Sequence, residues 1–148
     1  MNIKTLAPDL SVMPQVSQTD IADLARRGFK SIIGNRPDGE APDQPTWSAI
    51  ATTVHSHGME ARHIPVVASQ INDSDVAAFA AALRDLPTPI AAYCRTGTRA
   101  ALLWALANEG TQSADERIRI AASQGYDLEQ FRARIERSTS TPSSGESD

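Results

Sequence analysis

The sequence predicts an α/β fold in which a mostly parallel sheet is flanked by helices. The chain has 148 residues, a length typical of one domain. Apolar residues make up 41% and charged residues 22%, which suits a packed core. Segments with helical and extended patterns alternate along the chain. This order is typical of parallel strands joined by helices.

The first elements follow from the spacing of apolar residues. Thr19 is predicted to cap a helix that ends at Gly28, and residues 29–33 form an apolar strand. A loop over residues 34–44 follows because glycine, proline and charged residues are concentrated there. The next helix has apolar residues spaced by three and four, and it ends at Gly58.

The second half of the chain continues the alternation. Residues 59–66 are predicted to be extended, and Asn72 or Asp73 starts a helix that ends before a pair of prolines. A short apolar strand follows over residues 90–93. Further helices are predicted over residues 100–109, 113–124 and 127–137, and the Ser/Thr-rich residues 138–148 form a disordered tail after a single domain of residues 1–137.

Composition excludes several classes of function. The net charge is -4 and no long basic cluster occurs, so nucleic acid is not an expected partner. No apolar stretch is long enough to span a membrane and no signal peptide is seen, so a cytoplasmic location without membrane association is expected. A single cysteine excludes an internal disulfide and a zinc site of several thiolates. His55 and His57 lack a third ligand, and we expect neither a metal ion nor a cofactor.

The predicted reactive group is Cys94, which stands between the last strand and the next helix in Cys94-Arg-Thr-Gly-Thr-Arg99. A helix N-terminus and nearby guanidinium groups favour the thiolate, the nucleophilic form of cysteine. Gly97 lets the amides of this loop turn inward around the sulfur, and Arg99 closes the ring. Alternatively, Cys94 is a small buried hydrophobe at the end of a core strand. The predicted catalytic residues here are Cys94 and Arg99, and the predicted substrate-binding residues are Arg95, Thr96, Gly97 and Thr98, with the two threonines expected to hydrogen-bond within the loop.

A second candidate segment is the loop after the strand 29–33. If the strands are parallel, Asp38 leaves the sheet at the same end as the cysteine and is the candidate general acid for a reaction that needs one. Alternatively, Asp38 only serves the turn Pro37-Asp38-Gly39. Arg36 is a further predicted substrate-binding residue, and Glu40 is expected to pair with it. His63 is interpreted as a hydrogen-bonded structural residue rather than a catalytic one.

Three segments carry a resemblance to a known family. Cys94-Arg-Thr-Gly-Thr-Arg99-Ala, Asn35-Arg-Pro-Asp-Gly-Glu40 and His63-Ile-Pro-Val66 resemble a small bacterial family with a protein-tyrosine-phosphatase-like fold. Its members occur alone or fused to persulfide dioxygenases, as in the beta-lactamase hydrolase-like proteins. The resemblance covers about residues 5–110. It implies a cysteine-phosphatase-like domain of the dual-specificity type, with sulfurtransferase or phosphatase activity and a persulfide dioxygenase as functional partner.

The length of the cysteine loop favours the first of these activities. The loop is one residue shorter than in protein tyrosine phosphatases, Tyr93 replaces their usual histidine, and the pattern is similar to rhodanese-like sulfurtransferases. A tighter ring suits one sulfur atom better than a phosphate. We therefore predict that Cys94 takes sulfur from thiosulfate or glutathione persulfide and passes it to a thiol acceptor. The alternatives are a cysteine-dependent phosphatase that uses Cys94, Arg99 and Asp38, and a non-catalytic module that binds an anion or a phosphoprotein.

Overall fold

The centre of the molecule is a five-stranded mixed sheet, seen in a computed structural model that describes residues 1–140. The strands are β1 (Lys4–Ala7), β2 (Leu10–Met13), β3 (Ser31–Gly34), β4 (Glu60–His63) and β5 (Ile90–Tyr93). Their order across the sheet is β1-β2-β5-β3-β4. All neighbouring pairs are parallel except the edge pair of β1 and β2. The predicted α/β class is confirmed.

Helices cover both faces of this sheet. They are α1 (Gln18–Arg26), α2 (Trp47–Ser56), α3 (Asp73–Asp85), α4 (Thr98–Ala107), α5 (Ala114–Ser123) and α6 (Arg132–Ser140), with short 3-10 turns at Ala68–Gln70 and Glu129–Phe131. None of the helices within residues 1–140 is long and apolar enough to cross a membrane.

The alternation of side chains along the strands creates two separate apolar layers. In β3, Ile33 packs with α3, α4, α5 and α6, whereas its neighbour Ile32 packs with α1 and α2. The strand β5 is divided in the same way, and Ala92 and Ala91 lie in different layers. Because β5 has a strand on each side and helices on each face, its carboxyl end is held in a fixed position at the middle of the sheet.

Two differences from the sequence prediction occur near the N-terminus. No strand is predicted before residue 29, yet β1 and β2 form a hairpin about Pro8 and Asp9. These strands are four residues each, too short to show a clear period of two. The first helix is capped by Ser17 rather than Thr19: the Ser17 hydroxyl accepts from the Asp20 amide at 3.1 Å, and the Asp20 carboxylate accepts from the Ser17 amide at 2.9 Å.

The boundary predicted between helix and tail is also shifted. The helix α6 continues through Ser140, so residues 138–140 are helical rather than part of a tail. One reason is that the Ser138 hydroxyl donates to the Ile135 carbonyl at 2.6 Å, which keeps this polar residue within the helix. The rest of the predicted tail, residues 141–148, lies outside the described residues.

A buried cation links the three C-terminal helices. The side chain of Arg117 in α5 is fully buried. It donates to the carbonyl of Gln112 at 3.0 Å and to the hydroxyl of Ser138 in α6 at 3.2 Å, and it also donates to the carbonyl of Ala105 in α4. Burial lowers the pKa of Arg117. The bond to Ala105 satisfies a carbonyl group in the last turn of α4 that the helix itself leaves unpaired.

Candidate active site

The loop from Cys94 to Arg99 joins the carboxyl end of β5 to the first turn of α4, where the sequence analysis places it. The amide of Cys94 donates to the Met13 carbonyl at 3.3 Å, which continues the pairing of β5 with β2 past the end of the strand. At the other end of the loop, Gly97 caps α4 with φ 99, a left-handed conformation that favours glycine. The sulfur is therefore held between the middle of the sheet and a helix N-terminus.

The sulfur of Cys94 lies beside polar groups although the residue is buried. The amide of Gly97 donates to Sγ at 3.0 Å. Arg99 is close enough for the thiolate charge to help raise the pKa of its guanidinium, although the hydrogen bond with Glu40 is the largest cause. An amide donor and a cation beside a thiol stabilise its thiolate form. The interpretation of Cys94 as an inert apolar residue does not fit these neighbours.

Arg99 is fixed by a carboxylate from a distant part of the chain. Its Nη1 and Nη2 donate to the two oxygens of Glu40, both at 2.8 Å, and Nη1 also donates to the Val66 carbonyl at 2.8 Å. Such two-pronged pairing fixes the plane of a guanidinium. The Arg99 guanidinium also lies within hydrogen-bonding reach of the Cys94 side chain. Hydrogen bonds from Arg99, and to a smaller extent from Arg36, lower the pKa of Glu40 to about 2.

Arg36 completes an ionic cluster with the same carboxylate. Its Nε donates to Glu40 at 3.0 Å, the pairing expected from the sequence, and its Nη1 donates to the Gln15 side chain at 3.1 Å. The Arg36 side chain is only 6% exposed, against 26% for Glu40. Although Arg36 contributes to the wall of the cleft described below, its main contacts hold Glu40 in place. Arg36 therefore orients the pair of Glu40 and Arg99, and since it also lines the cleft, the substrate contact predicted for it stays a prediction.

A cleft of about 890 Å³ lies over the cysteine loop. Arg95 and Thr96 stand exposed at its edge, and the hydroxyls of Thr96 and Thr98 lie 3.0 Å apart, the contact expected within the loop. An apolar part of the wall contains Val67 and Phe131. The other residues that line the cleft are Gln15, Arg36, Glu40, Ala41, Asp43, Gln44, Pro45, Ala68, Arg99, Leu102 and Gln130.

Asp38, the acid candidate predicted from the sequence, does not line this cleft. Its Oδ1 accepts from the amide of Trp47 at 2.8 Å, so the carboxylate serves the N-terminus of α2. This is the contact of a turn and capping residue, the alternative stated above. The carboxyl groups that do line the cleft are those of Glu40 and Asp43. Hydrogen bonds from Arg99 and Arg36 keep Glu40 ionised at neutral pH, so Glu40 is not suited to supply a proton.

The histidine near β4 has structural contacts, which agrees with its interpretation from the sequence. The ring of His63 stacks on Trp47 with 4.8 Å between centroids, and its Nε2 lies 3.2 Å from the Arg36 carbonyl oxygen. Within residues 1–140, no group of three or more His, Cys, Asp or Glu side chains is arranged to hold a metal ion.

Two contacts of the site have no counterpart in the sequence analysis. Glu40 was expected to pair with Arg36 but not with Arg99, which lies 59 residues away. Tyr126 packs against Gly97, where an added Cβ would lie 2.2 Å from the tyrosine hydroxyl. No local pattern indicates either contact, because both join segments that are distant along the chain.

Comparisons with known proteins give consistent matches. Residues 2–111 match the family described as "Beta-lactamase hydrolase-like protein, phosphatase-like domain". A beta-lactamase hydrolase-like protein of Xylella fastidiosa is 32% identical over 130 residues, which are 86% of this chain and 30% of that protein. The chain thus spans less than a third of the length of that curated relative.

Solved structures share the fold. A candidate phosphatase of Neisseria meningitidis has a TM-score of 0.84 and 37% identity, with 93% of this chain and 99% of that chain covered. A kinase-associated phosphatase, which has a catalytic-site cysteine, has a TM-score of 0.71 with 92% of this chain and 91% of that chain covered. At 15% identity the second match shows the fold alone. Cysteine phosphatases therefore share the architecture that carries the Cys94 loop.

Proposed function

The chain belongs to the family of the phosphatase-like domain of beta-lactamase hydrolase-like proteins, and from this premise we propose that it hydrolyses phosphate monoesters through Cys94. This differs from the preference for sulfur transfer derived from loop length, because the related domains and structures point to phosphatases. The observation that carries the proposal is the convergence of the Gly97 amide and the Arg99 guanidinium on one buried sulfur.

The first chemical step is attack of the Cys94 thiolate on phosphorus. The S–P bond forms as the bond between phosphorus and the leaving oxygen breaks, and the leaving group departs with that bonding pair. Negative charge on the equatorial oxygens is stabilised by the loop amides and by the guanidinium of Arg99. In the second step, water attacks the phosphocysteine, releases phosphate and restores the thiolate.

Proton supply determines which esters react fastest. An alkoxide leaving group needs an acid, whereas a phenoxide is a weaker base and departs more readily. Asp38 is engaged at the start of α2, so we assign proton donation to Asp43, which lies in the wall of the cleft. Because Asp43 is an exposed loop residue, we expect aryl phosphates to be better substrates than alkyl phosphates.

Sulfur transfer is the second candidate, and the short loop is the observation that favours it. Only four residues separate Cys94 from Arg99, and one amide of this loop is already directed at Sγ. A loop of this length offers few amide donors, and a persulfide anion needs fewer donors than a phosphate. In this case the Cys94 thiolate would attack the outer sulfur of thiosulfate or glutathione persulfide, and the S–S bond of the donor would break to release sulfite or the glutathione thiolate. An acceptor thiolate would then attack the outer sulfur of the Cys94 persulfide and restore the Cys94 thiolate.

The two candidates are separated by intact mass and turnover of the full chain. We expect hydrolysis of para-nitrophenyl phosphate, a phosphate adduct on the wild type after an acid quench, and loss of both in Cys94→Ser. The variant Arg99→Lys keeps the charge but not the planar fork and should lose most of the activity. A sulfur adduct that a thiol removes, with no hydrolysis of the phosphate ester, would reject the phosphatase in favour of sulfur transfer. Anion binding that survives Cys94→Ser, with neither reaction, would indicate a binding module.

A further inference from the structure

The segment that follows α5 reaches back to the cysteine loop. The helix ends in a Schellman turn, in which the amide of Gly125 donates to the Ala122 carbonyl at 3.0 Å and that of Tyr126 donates to the Ala121 carbonyl at 2.9 Å. Gly125 has φ 95, a conformation that favours glycine. This turn fixes the direction in which the tyrosine side chain leaves the helix, and the side chain is 7% exposed.

The tyrosine hydroxyl contacts the loop at its glycine. It donates to the carbonyl of Thr96 at 3.4 Å, and a Cβ on Gly97 would lie 2.2 Å from it. The ring therefore occupies the space that any other residue at position 97 would need. On the opposite side of the same peptide unit, the Gly97 amide donates to Sγ of Cys94 at 3.0 Å.

The hydrogen bond of the Tyr126 hydroxyl and that of the Cys94 sulfur involve the same peptide unit. The carbonyl of Thr96 and the amide of Gly97 belong to the same planar group, so a bond that fixes the carbonyl also fixes the direction of the amide. Burial raises the pKa of Tyr126, and the charge of Cys94 adds to this effect. The phenol thus stays protonated and remains a donor at neutral pH.

We propose that Tyr126 is a positioning residue of the active site, whose hydroxyl holds the peptide between Thr96 and Gly97 with its amide turned toward the sulfur. The proposal extends the proposed function, because it assigns part of the anion site to a residue beyond residue 111, where the family match ends. The C-terminal helices then serve the chemistry as well as the packing of the domain.

The test uses alkylation of Cys94 and requires no turnover. The chain has a single cysteine, so the iodoacetamide adduct seen by intact mass reports on one site. Protection against alkylation by increasing tungstate, a stable phosphate-like oxyanion, measures the affinity of the loop for an anion. In Tyr126→Phe the ring remains and only the hydroxyl is lost. We expect the tungstate concentration needed for half protection to rise by roughly 3- to 10-fold. We also expect the pH dependence of the alkylation rate to move to higher pH.

A matched control is Ser31→Ala, which also removes a buried hydroxyl that donates to a carbonyl, in this case that of Pro87 at 2.7 Å. Ser31 begins β3 and pairs with Ile90 at the start of β5, so it lies at the end of the sheet opposite the cysteine loop. This variant should change the melting temperature but leave tungstate protection as in the wild type. Because each variant loses one hydrogen-bonded hydroxyl, a general loss of stability would affect both alike.

Three outcomes would overturn the proposal: equal protection in Tyr126→Phe and wild type, equal weakening in Tyr126→Phe and the control variant, or an alkylation profile unchanged by Tyr126→Phe. If tungstate does not protect the wild type, the anion site and the proposed phosphatase both fail. The pH profile of alkylation then still decides whether the hydroxyl orients the Gly97 amide. Failure to hydrolyse the phosphate ester, with protection retained, would reject the proposed function alone.

Discussion

Replacing Glu40 by Gln removes the charge that lies between Arg36 and Arg99. The glutamine has the same length but only one oxygen, so it cannot pair with both Nη groups of Arg99, and the largely buried Arg36 loses its counter-ion. We expect a less stable protein in which Arg99 is no longer fixed beside the cysteine loop.

The size of the effect follows from the pKa of the carboxyl group. Hydrogen bonds with Arg99 and then Arg36 lower the pKa of Glu40 from 4.5 to about 2. A shift of this size corresponds to about 3 kcal/mol at neutral pH. Because the Glu40 side chain is partly exposed, solvent screening reduces the expected loss in Glu40→Gln to about 1 to 2 kcal/mol. Movement of Arg99 should lower kcat/KM for an aryl phosphate by about 10- to 100-fold.

The pH dependence of the unfolding free energy is the most specific part of this prediction. Since the pKa of Glu40 is lower in the folded than in the unfolded chain, its stabilisation is complete above the unfolded value of 4.5 and is lost as pH falls toward about 2. The difference in unfolding free energy between wild type and Glu40→Gln should therefore be constant at neutral pH and shrink below pH 4.5.

Urea unfolding at pH 7 and pH 3, with kinetics at pH 7, tests these expectations. The control Glu109→Gln removes a carboxylate that pairs with Arg84 at 3.1 Å on the surface, far from the cleft. It should change stability by less than about 0.5 kcal/mol and leave the kinetics unchanged. Wild-type stability and activity in Glu40→Gln, or a stability difference that does not depend on pH, would refute the reasoning.

Further variants test other parts of the structure. Gly97→Ala should lose about 2 to 4 kcal/mol in urea unfolding, together with tungstate protection, because its φ is 99 and its Cβ would meet Tyr126. Asp38→Asn keeps a capping oxygen and should retain its kcat, whereas a drop of about 100-fold would restore Asp38 as the acid. Asp43→Asn should slow an alkyl phosphate more than an aryl phosphate in steady-state assays. Arg117→Met leaves buried carbonyls unpaired and should lose about 2 to 4 kcal/mol in thermal unfolding without changing kcat/KM.

The sequence predicted that Cys94 lies between a strand and a helix N-terminus because the indicators of this position are local. An apolar strand, one cysteine, a glycine and a helix start occur within ten residues, and each has a preferred conformation that the structure adopts. The pair of Arg36 and Glu40 was predictable for the same reason, since the two residues lie four apart in one loop.

Contacts between distant segments could not be predicted in this way. The pairing of Glu40 with Arg99 depends on how the loop after β3 folds over the end of β5. The contact of Tyr126 with Gly97 depends on the direction of α5, and a tyrosine after a glycine is equally compatible with an ordinary helix end. Asp38 shows the converse: its position after β3 predicts a place near the cysteine, but the backbone turns its carboxylate to α2.

Cys94 and Glu40 lie in parts of the chain that differ in their stability against local unfolding. Cys94 follows β5, which is paired on both sides, whereas Glu40 lies in the largely exposed connection between β3 and α2. Local unfolding of that connection is expected to release Arg99 from Glu40 while the sheet stays intact. Hydrogen exchange should accordingly be fast in residues 38–44 and slow in β5. On heating, we expect the protein to become inactive while it is still folded, at a temperature below the melting of its sheet.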